Sequence, residues 1–321
     1  MKVRIWGCRG SLPVAMASHK VRDKIATALT AAGGRTFADK AAIDTFIDTE
    51  LPWPVANTFG GNTACVEVDA GTPVPFICDL GSGVREFGSA MLAAHGPAKP
   101  QVYNVFMSHL HWDHIMGFPF FTPAYIKGNV IRIHTCHPDP EIAFTRQQSA
   151  PCFPVDFSTL GATIEFKRLE AGRPVEIDGV TVSALKQYHQ GDSFGWRFQH
   201  GGKTVVYSTD SEHKQENADE AQSFADFFAG ADAVIFDAQY SLAETVSLKQ
   251  DWGHSSNIVG VDLCHMAGAK RLVLFHHEPA FDDVLLHRIW RETIRYEELA
   301  RPPGAAPLAI TAAVDGLAFA V

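Results

Sequence analysis

Polar and apolar residues alternate along Lys2-Val3-Arg4-Ile5-Trp6, the period-two signature of a strand with one buried face. This strand, residues 2–7, runs into a tight turn at Gly7-Cys8-Arg9-Gly10-Ser11. Residues 14–58 change character. Ser18 to Ala32 combines a candidate N-cap, helix-forming residues and a Gly33-Gly34 stop, and Ala38 to Glu50 predicts a second helix before Pro52 and Pro54. Strand patterns resume at Thr63–Val68 and Pro75–Asp79. A helix follows at Gly81–Ala94, and a buried strand at Val102–Met107. The second half repeats this grammar, with strands predicted at 130–135, 163–168, 180–186, 196–199, 204–208, 233–237 and 271–275 and helices at 221–229, 255–267 and 284–299. The last 18 residues, Gly304 to Val321, are apolar but interrupted by Pro307, Thr311, Asp315 and Gly316, so they predict two short strands joined by a turn rather than a membrane span. Many strands separated by few helices predict an α/β architecture of two packed sheets with helices outside. The pattern gives a single domain over 1–321, with a helical insertion at about 14–58.

The composition supports a large core: 46% of residues are hydrophobic, 20% charged and 11% aromatic. A net charge of −9 excludes a broad basic groove, so a long nucleic acid is not the expected partner. Cys8, Cys65, Cys78, Cys136, Cys152 and Cys264 form no CxxC pair and are expected to be reduced, mostly buried thiols of a cytoplasmic protein. The N-terminus lacks the apolar centre of a signal peptide, and no membrane partner is expected.

The chemistry concentrates in Ser108-His109-Leu110-His111-Trp112-Asp113-His114, directly after the strand at 102–107. Side chains at i and i+2 of a strand end point the same way, so His109 and His111 can grip one cation together. The chain then turns, which lets Asp113 and His114 face a second cation beside the first. The remaining histidines outside the segments discussed below, such as His134, His137 and His213, read as surface or packed core residues.

An HxHxDH segment after a strand resembles the signature of the metallo-β-lactamase fold, an αββα sandwich of two mixed sheets flanked by helices. Three further segments stand in the order that resemblance implies: Tyr188-His189-Gln190-Gly191, Ser208-Thr209-Asp210 and Leu274-Phe275-His276-His277. The resemblance covers most of the chain but not the 14–58 insertion. It implies that His109, His111 and His189 bind one metal, that Asp113, His114 and His276 bind another, and that Asp210 bridges them. His277 is an alternative to His276, which is favoured because the family ligand directly follows the strand. Two divalent ions are implied, zinc first, with Mn2+ or Fe able to occupy the same nitrogen and oxygen donors. Asp79, before Gly81-Ser82-Gly83, resembles the family aspartate that orients the histidine loop, although it also reads as a helix N-cap.

Within the family, Asp251-Trp252-Gly253-His254-Ser255-Ser256 resembles the Gly-His-Ser segment of the ribonuclease Z-like and cyclic phosphodiesterase branches, where the histidine assists the departing oxygen. The His-x-Gly and Gly-aromatic-Arg context of His189 points the same way. The catalytic residues implied are His254, Asp113 and Asp210, acting on phosphorus through a hydroxide that bridges the two metals. The absence of a Lys/Arg-rich arm favours a small phosphodiester, a cyclic nucleotide or cyclic phosphate, over transfer RNA. The alternatives are a ribonuclease Z-like endoribonuclease and a lactone or thioester hydrolase on the same metals. A non-catalytic nucleotide-binding scaffold is disfavoured because all seven ligand positions are filled. Trp112, Phe118, Phe120, Phe121, Tyr125 and Phe153 are candidates to hold a base, though each reads more readily as core. The insertion is a candidate cap or homodimer contact.

Overall fold

The computed structural model describes residues 1–213, 218–240 and 253–321. Among these residues the strands form two seven-stranded mixed sheets. Sheet 1 contains β1 (Lys2–Gly7), β2 (Cys65–Asp69), β3 (Phe76–Cys78), β4 (Val102–Phe106), β5 (Val130–Thr135), β6 (Thr163–Arg168) and β14 (Ala318–Ala320), in the order β14-β1-β2-β3-β4-β5-β6. Sheet 2 contains β7 (Val175–Ile177), β8 (Val180–Gln187), β9 (Ser193–His200), β10 (Lys203–Ser208), β11 (Ala233–Asp237), β12 (Arg271–Phe275) and β13 (Ala309–Ala312), in the order β13-β12-β11-β10-β9-β8-β7. Both sheets pair antiparallel up to one strand and parallel beyond it. The change falls at β3 in sheet 1 and at β10 in sheet 2.

Period-two alternation explains the layering. Phe76 and Cys78 of β3 enter the core between the sheets, while Ile77 joins the outer layer under the helices. In β11 the middle residue Ile235 points inward, and Val234 and Phe236 pack outward. The inter-sheet core also holds Val3, Ile5, Val66, Phe106, Trp196, Phe198 and Phe275, all fully buried. Trp196 keeps its indole satisfied by donating Nε1–H to the Met107 carbonyl at 3.1 Å, a link from sheet 2 to the chain just after β4.

Residues 14–58 carry α1 (Ser18–Ala32), α2 (Lys40–Glu50) and a single turn α3 (Trp53–Ala56). Helix α1 buries no residue of its own. The segment is tied to the C-terminal helix Asp283–Ala300 by the Lys24–Asp283 ion pair at 2.6 Å and by Trp53, which packs on Phe59, His287 and Trp290.

The strands β5, β6, β11 and β12 have the predicted bounds. The two strands expected in residues 304–321 form, but their turn separates the sheets instead of closing a hairpin. Gly316 N–H donates to the Ile5 carbonyl in sheet 1 and Ala313 N–H to the Leu274 carbonyl in sheet 2, so the turn crosses one end of the sandwich. The pattern misses β7, which is three residues long and has no buried position, and the helix Pro140–Gln147. All six cysteines are free, with four buried, Cys136 half-buried and Cys152 exposed. Among the described residues no helix is long and apolar enough to cross a membrane.

His134, on β5, stacks on Phe106 at 4.7 Å and donates Nε2–H to Asn104 Oδ1 at 3.0 Å. Burial, aided by Arg132, pushes its pKa down to about 4. The unfolded chain therefore takes up this proton near pH 6.5, before the folded protein does. The stability due to neutral His134 is complete above that pH and is lost as pH falls toward 4. Unfolding free energy measured by denaturant titration should fall less steeply between pH 6.5 and 4 in His134→Gln than in the parent, by up to about 1.4 kcal/mol per pH unit. Parallel slopes would contradict this.

Candidate metal centre

The site lies at the carboxyl ends of β3, β4, β10, β11 and β12. Three of these strands end in a non-glycine residue with left-handed backbone: Asp79 (φ 59°) after β3, Asp210 (φ 50°) beyond β10 and His276 (φ 60°) after β12. Such residues are uncommon and cluster where surrounding structure over-determines them.

Asp79 is wholly buried and accepts four hydrogen bonds: from Ser108 N–H (2.7 Å), Ser108 Oγ (2.6 Å), His114 Nδ1 (2.7 Å) and Tyr207 OH (2.8 Å). This settles its role against the N-cap alternative, since the cap of the following helix Val84–His95 is Gly83. Asp79 fixes one proton at His114 Nδ1, so Nε2 is the nitrogen turned toward the site. That atom meets His276 Nε2 at 3.3 Å, Asp113 Oδ2 at 3.3 Å and Asp210 Oδ1 at 3.2 Å. Asp113, His114, Asp210 and His276 thus form a converging donor group, one that could hold a metal ion. Asp113 is held by Ser11 N–H at 2.8 Å.

His109, His111 and His189 form the second group. His189 donates Nδ1–H to the Gly253 carbonyl at 2.8 Å, so its Nε2 is a lone pair, and this atom sits 3.0 Å from His111 Nδ1. His109 Nδ1 lies 3.1 Å from the Ser108 hydroxyl, whose own proton goes to Asp79. Buried His109 Nε2 is left without a hydrogen-bond partner and faces Asp210 Oδ2 at 3.7 Å. Asp210 therefore turns one oxygen toward each group.

Lone pairs that face one another and an orphaned buried nitrogen are costly unless a cation lies between them. The donor set is imidazole and carboxylate only, which fits zinc, manganese or iron. The charge pattern agrees. Burial and the neighbouring imidazoles hold His109 well below the usual histidine range. Burial opposes charge on His114 too, but Asp210, Asp113 and Asp79 outweigh it and hold it well above that range. Asp113 and Asp210 are depressed despite burial, chiefly by His114 and by His276 respectively. That field holds the second His114 proton on Nε2, a proton that would be released to free the nitrogen for a divalent cation.

His276 rather than His277 enters the site. His277 turns away, donating Nε2–H to the Ala313 carbonyl at 2.9 Å and packing edge-on against Phe59. Gly10 backs the His276 ring so closely that a Cβ there would lie 2.6 Å from it.

His254 lies beside both groups, its ring 5.2 Å from His189 and 5.1 Å from His276. Its Nδ1 is bound to Asp237 Oδ2 at 2.8 Å. Burial lowers its pKa, but Asp237 outweighs this and pushes it up to about 9. Asp251 and Trp252 of the same segment lie outside the described residues. Asp237, the last residue of β11, was not apparent from the sequence, where it is one acid at a strand end like many others. Of the aromatic candidates, Phe118 and Phe121 are core, and Tyr125 is half-buried with its hydroxyl on the Pro119 carbonyl. Trp112 and Phe120 are exposed, and Phe153 is half-buried against Phe120.

The profile of the beta-lactamase superfamily domain matches residues 76–277, a span that contains both donor groups, Asp79, Asp237 and His254. Ribonuclease Z of Picrophilus torridus is 21% identical over 256 residues, covering 65% of this chain and 78% of that protein. Among solved structures, the metallo-beta-lactamase fold protein YhfI from Bacillus subtilis aligns with a TM-score of 0.64 at 16% identity, over 99% of this chain and 98% of that one. A diphosphatase from the PhnP family aligns with a TM-score of 0.59 at 17% identity, over 100% and 97%. At these identities the two structures establish a shared fold.

Two substitutions outside the donor groups test their support. Asp79→Asn and Gly10→Ala should each weaken zinc binding by about 10–100-fold, read by competition with a chromophoric chelator. Unchanged affinity in both would break the link between these positions and the site.

Proposed function

The chain belongs to the metallo-β-lactamase superfamily, and from that premise we propose that it is a two-metal phosphodiesterase acting on a small substrate, a cyclic nucleotide or related cyclic phosphate. The observation that carries this reading is the His254–Asp237 pair set against both donor groups. His109, His111 and His189 would hold one cation and Asp113, His114 and His276 the other, with Asp210 facing both. Bound there, divalent cations supply charge neutralisation at the phosphoryl oxygens and water activation at neutral pH.

The chain's own residues supply the rest. Asp237 accepts from His254 Nδ1, which fixes the ring and leaves Nε2 to deliver a proton to the departing alkoxide. A thiolate leaves readily without such a proton, so this pair favours an oxygen leaving group over a thioester. The relatives named as a ribonuclease and a diphosphatase support reaction at phosphorus. The net charge of −9 favours a compact substrate over a long polyanion.

A second reading, endonucleolytic cleavage of RNA, is favoured by the similarity to Ribonuclease Z. The two separate in one assay: protein loaded with zinc or manganese is given a cyclic mononucleotide or a structured RNA with a 3′ extension. Cyclic nucleotide turnover that vanishes in Asp210→Ala is the expected result, and RNA cleavage without it would install the second reading. His254→Gln should lower kcat by about 100-fold or more while keeping its metals. A metal-depleted His254→Gln would remove the proton-donor assignment.

A further inference from the structure

The chain contains 22 Phe, 6 Trp and 6 Tyr. Among the described residues only three of these rings are exposed: Trp112 at 63%, Phe120 at 58% and Tyr188 at 56%. None is scattered over the surface. Trp112 stands between His111 and Asp113, Tyr188 directly precedes His189, and Phe120 closes the short turn after the histidine loop. Leaving large rings in water forfeits the burial that every other described aromatic achieves at least in part. His111 and His189 are in contact at 3.0 Å, so the segments that carry Trp112 and Tyr188 meet at this donor group, coming from different sheets.

Beside this group lies a recess of about 520 Å³ whose lining includes Tyr188, His189 and Gly253. That volume suits a nucleoside-sized group. Tyr188 is thus a ring on the wall of a recess that opens next to the candidate metals. We infer that Tyr188 forms a stacking subsite for a planar ring of the substrate. The ligand class is a nucleobase carried on a phosphorylated sugar, bound with its phosphate at the donor groups and its base against Tyr188. This rests on the phosphodiesterase reading above, which leaves a nucleotide and a simpler cyclic phosphate both open, and it selects the nucleotide. Base–aromatic stacking tolerates any base, so the subsite would select for a base without selecting among bases.

The test is binding rather than turnover, so that it stands apart from the phosphodiesterase assay. Zinc-loaded protein is titrated with adenosine 5′-monophosphate and with ribose 5-phosphate, which differ only in the base. The monophosphate should bind at least about fivefold more tightly, the lower end of the stacking contribution. Tyr188→Ala, checked for full metal content, should bring the two affinities together, and Tyr188→Phe should keep them apart. Equal affinities in the parent protein would overturn the subsite even if cyclic phosphates are hydrolysed. A ratio that persists in Tyr188→Ala would overturn the assignment to this residue. Failure of both ligands to bind would overturn the phosphate reading, and the subsite with it. Should Tyr188→Ala lose its metals, Tyr188→Leu, which keeps apolar bulk without the ring, makes the same comparison: converged affinities are expected, and a persisting ratio would overturn the assignment.

Discussion

The arrangement turns on one buried carboxylate. Asp79 accepts four hydrogen bonds from two segments: the histidine loop, through Ser108 twice and His114 once, and the opposite sheet, through Tyr207. A charge taken wholly out of water is tolerable only when its oxygens are this well satisfied, and the loss of any donor would leave it exposed to the full cost of burial. The requirement works in both directions. The loop must return to Asp79 for the carboxylate to be buried there, and once it does, the tautomers of His114 and, through Ser108, of His109 follow. The lone pairs that converge at the site are thus selected one bond away from it. Tyr207 extends this control across the sandwich, since it sits on β10 only three residues before Asp210.

Backbone conformation carries part of the same order. Asp79, Asp210 and His276 each leave a strand through the left-handed region. A non-glycine residue held there costs roughly 1–3 kcal/mol, so three such turns at one end of two sheets need compensation from elsewhere in the molecule. The inter-sheet core supplies it, with Trp196, Phe198, Phe106 and Phe275 fully buried beneath the site. Gly10 shows the other side of this crowding, where the absence of a side chain is what gives His276 its place.

Much of this was legible along the chain because it is local or ordered. The spacing of His109, His111, Asp113 and His114 sits in one segment, and His189, Asp210 and His276 each end or follow a strand whose pattern is plain. Their resemblance to a family supplied the grouping, and the geometry brings together the same sets. What remained hidden depends on contacts between distant residues. Asp237 acquires its role only because β11 ends beside His254, and Tyr188 is distinguished from other tyrosines only by exposure. The choice between His276 and His277 turned on a hydrogen bond to Ala313, which adjacency in sequence cannot reveal. The C-terminal strands were readable as strands, but not their assignment to different sheets, because a five-residue turn serves a hairpin and a crossing equally well.

That crossing bears on how the protein is made. Strand β14 pairs with β1, so the first and last described strands of the chain are neighbours in sheet 1. While the chain leaves the ribosome, β1 and β2 can pair early, but the outer edge of β1 stays unpaired until residues 318–320 emerge. An open edge of this kind is a template for association with other chains. Pairing of residues 318–320 is therefore the step that closes this edge, and chains in which they have not yet docked present it open.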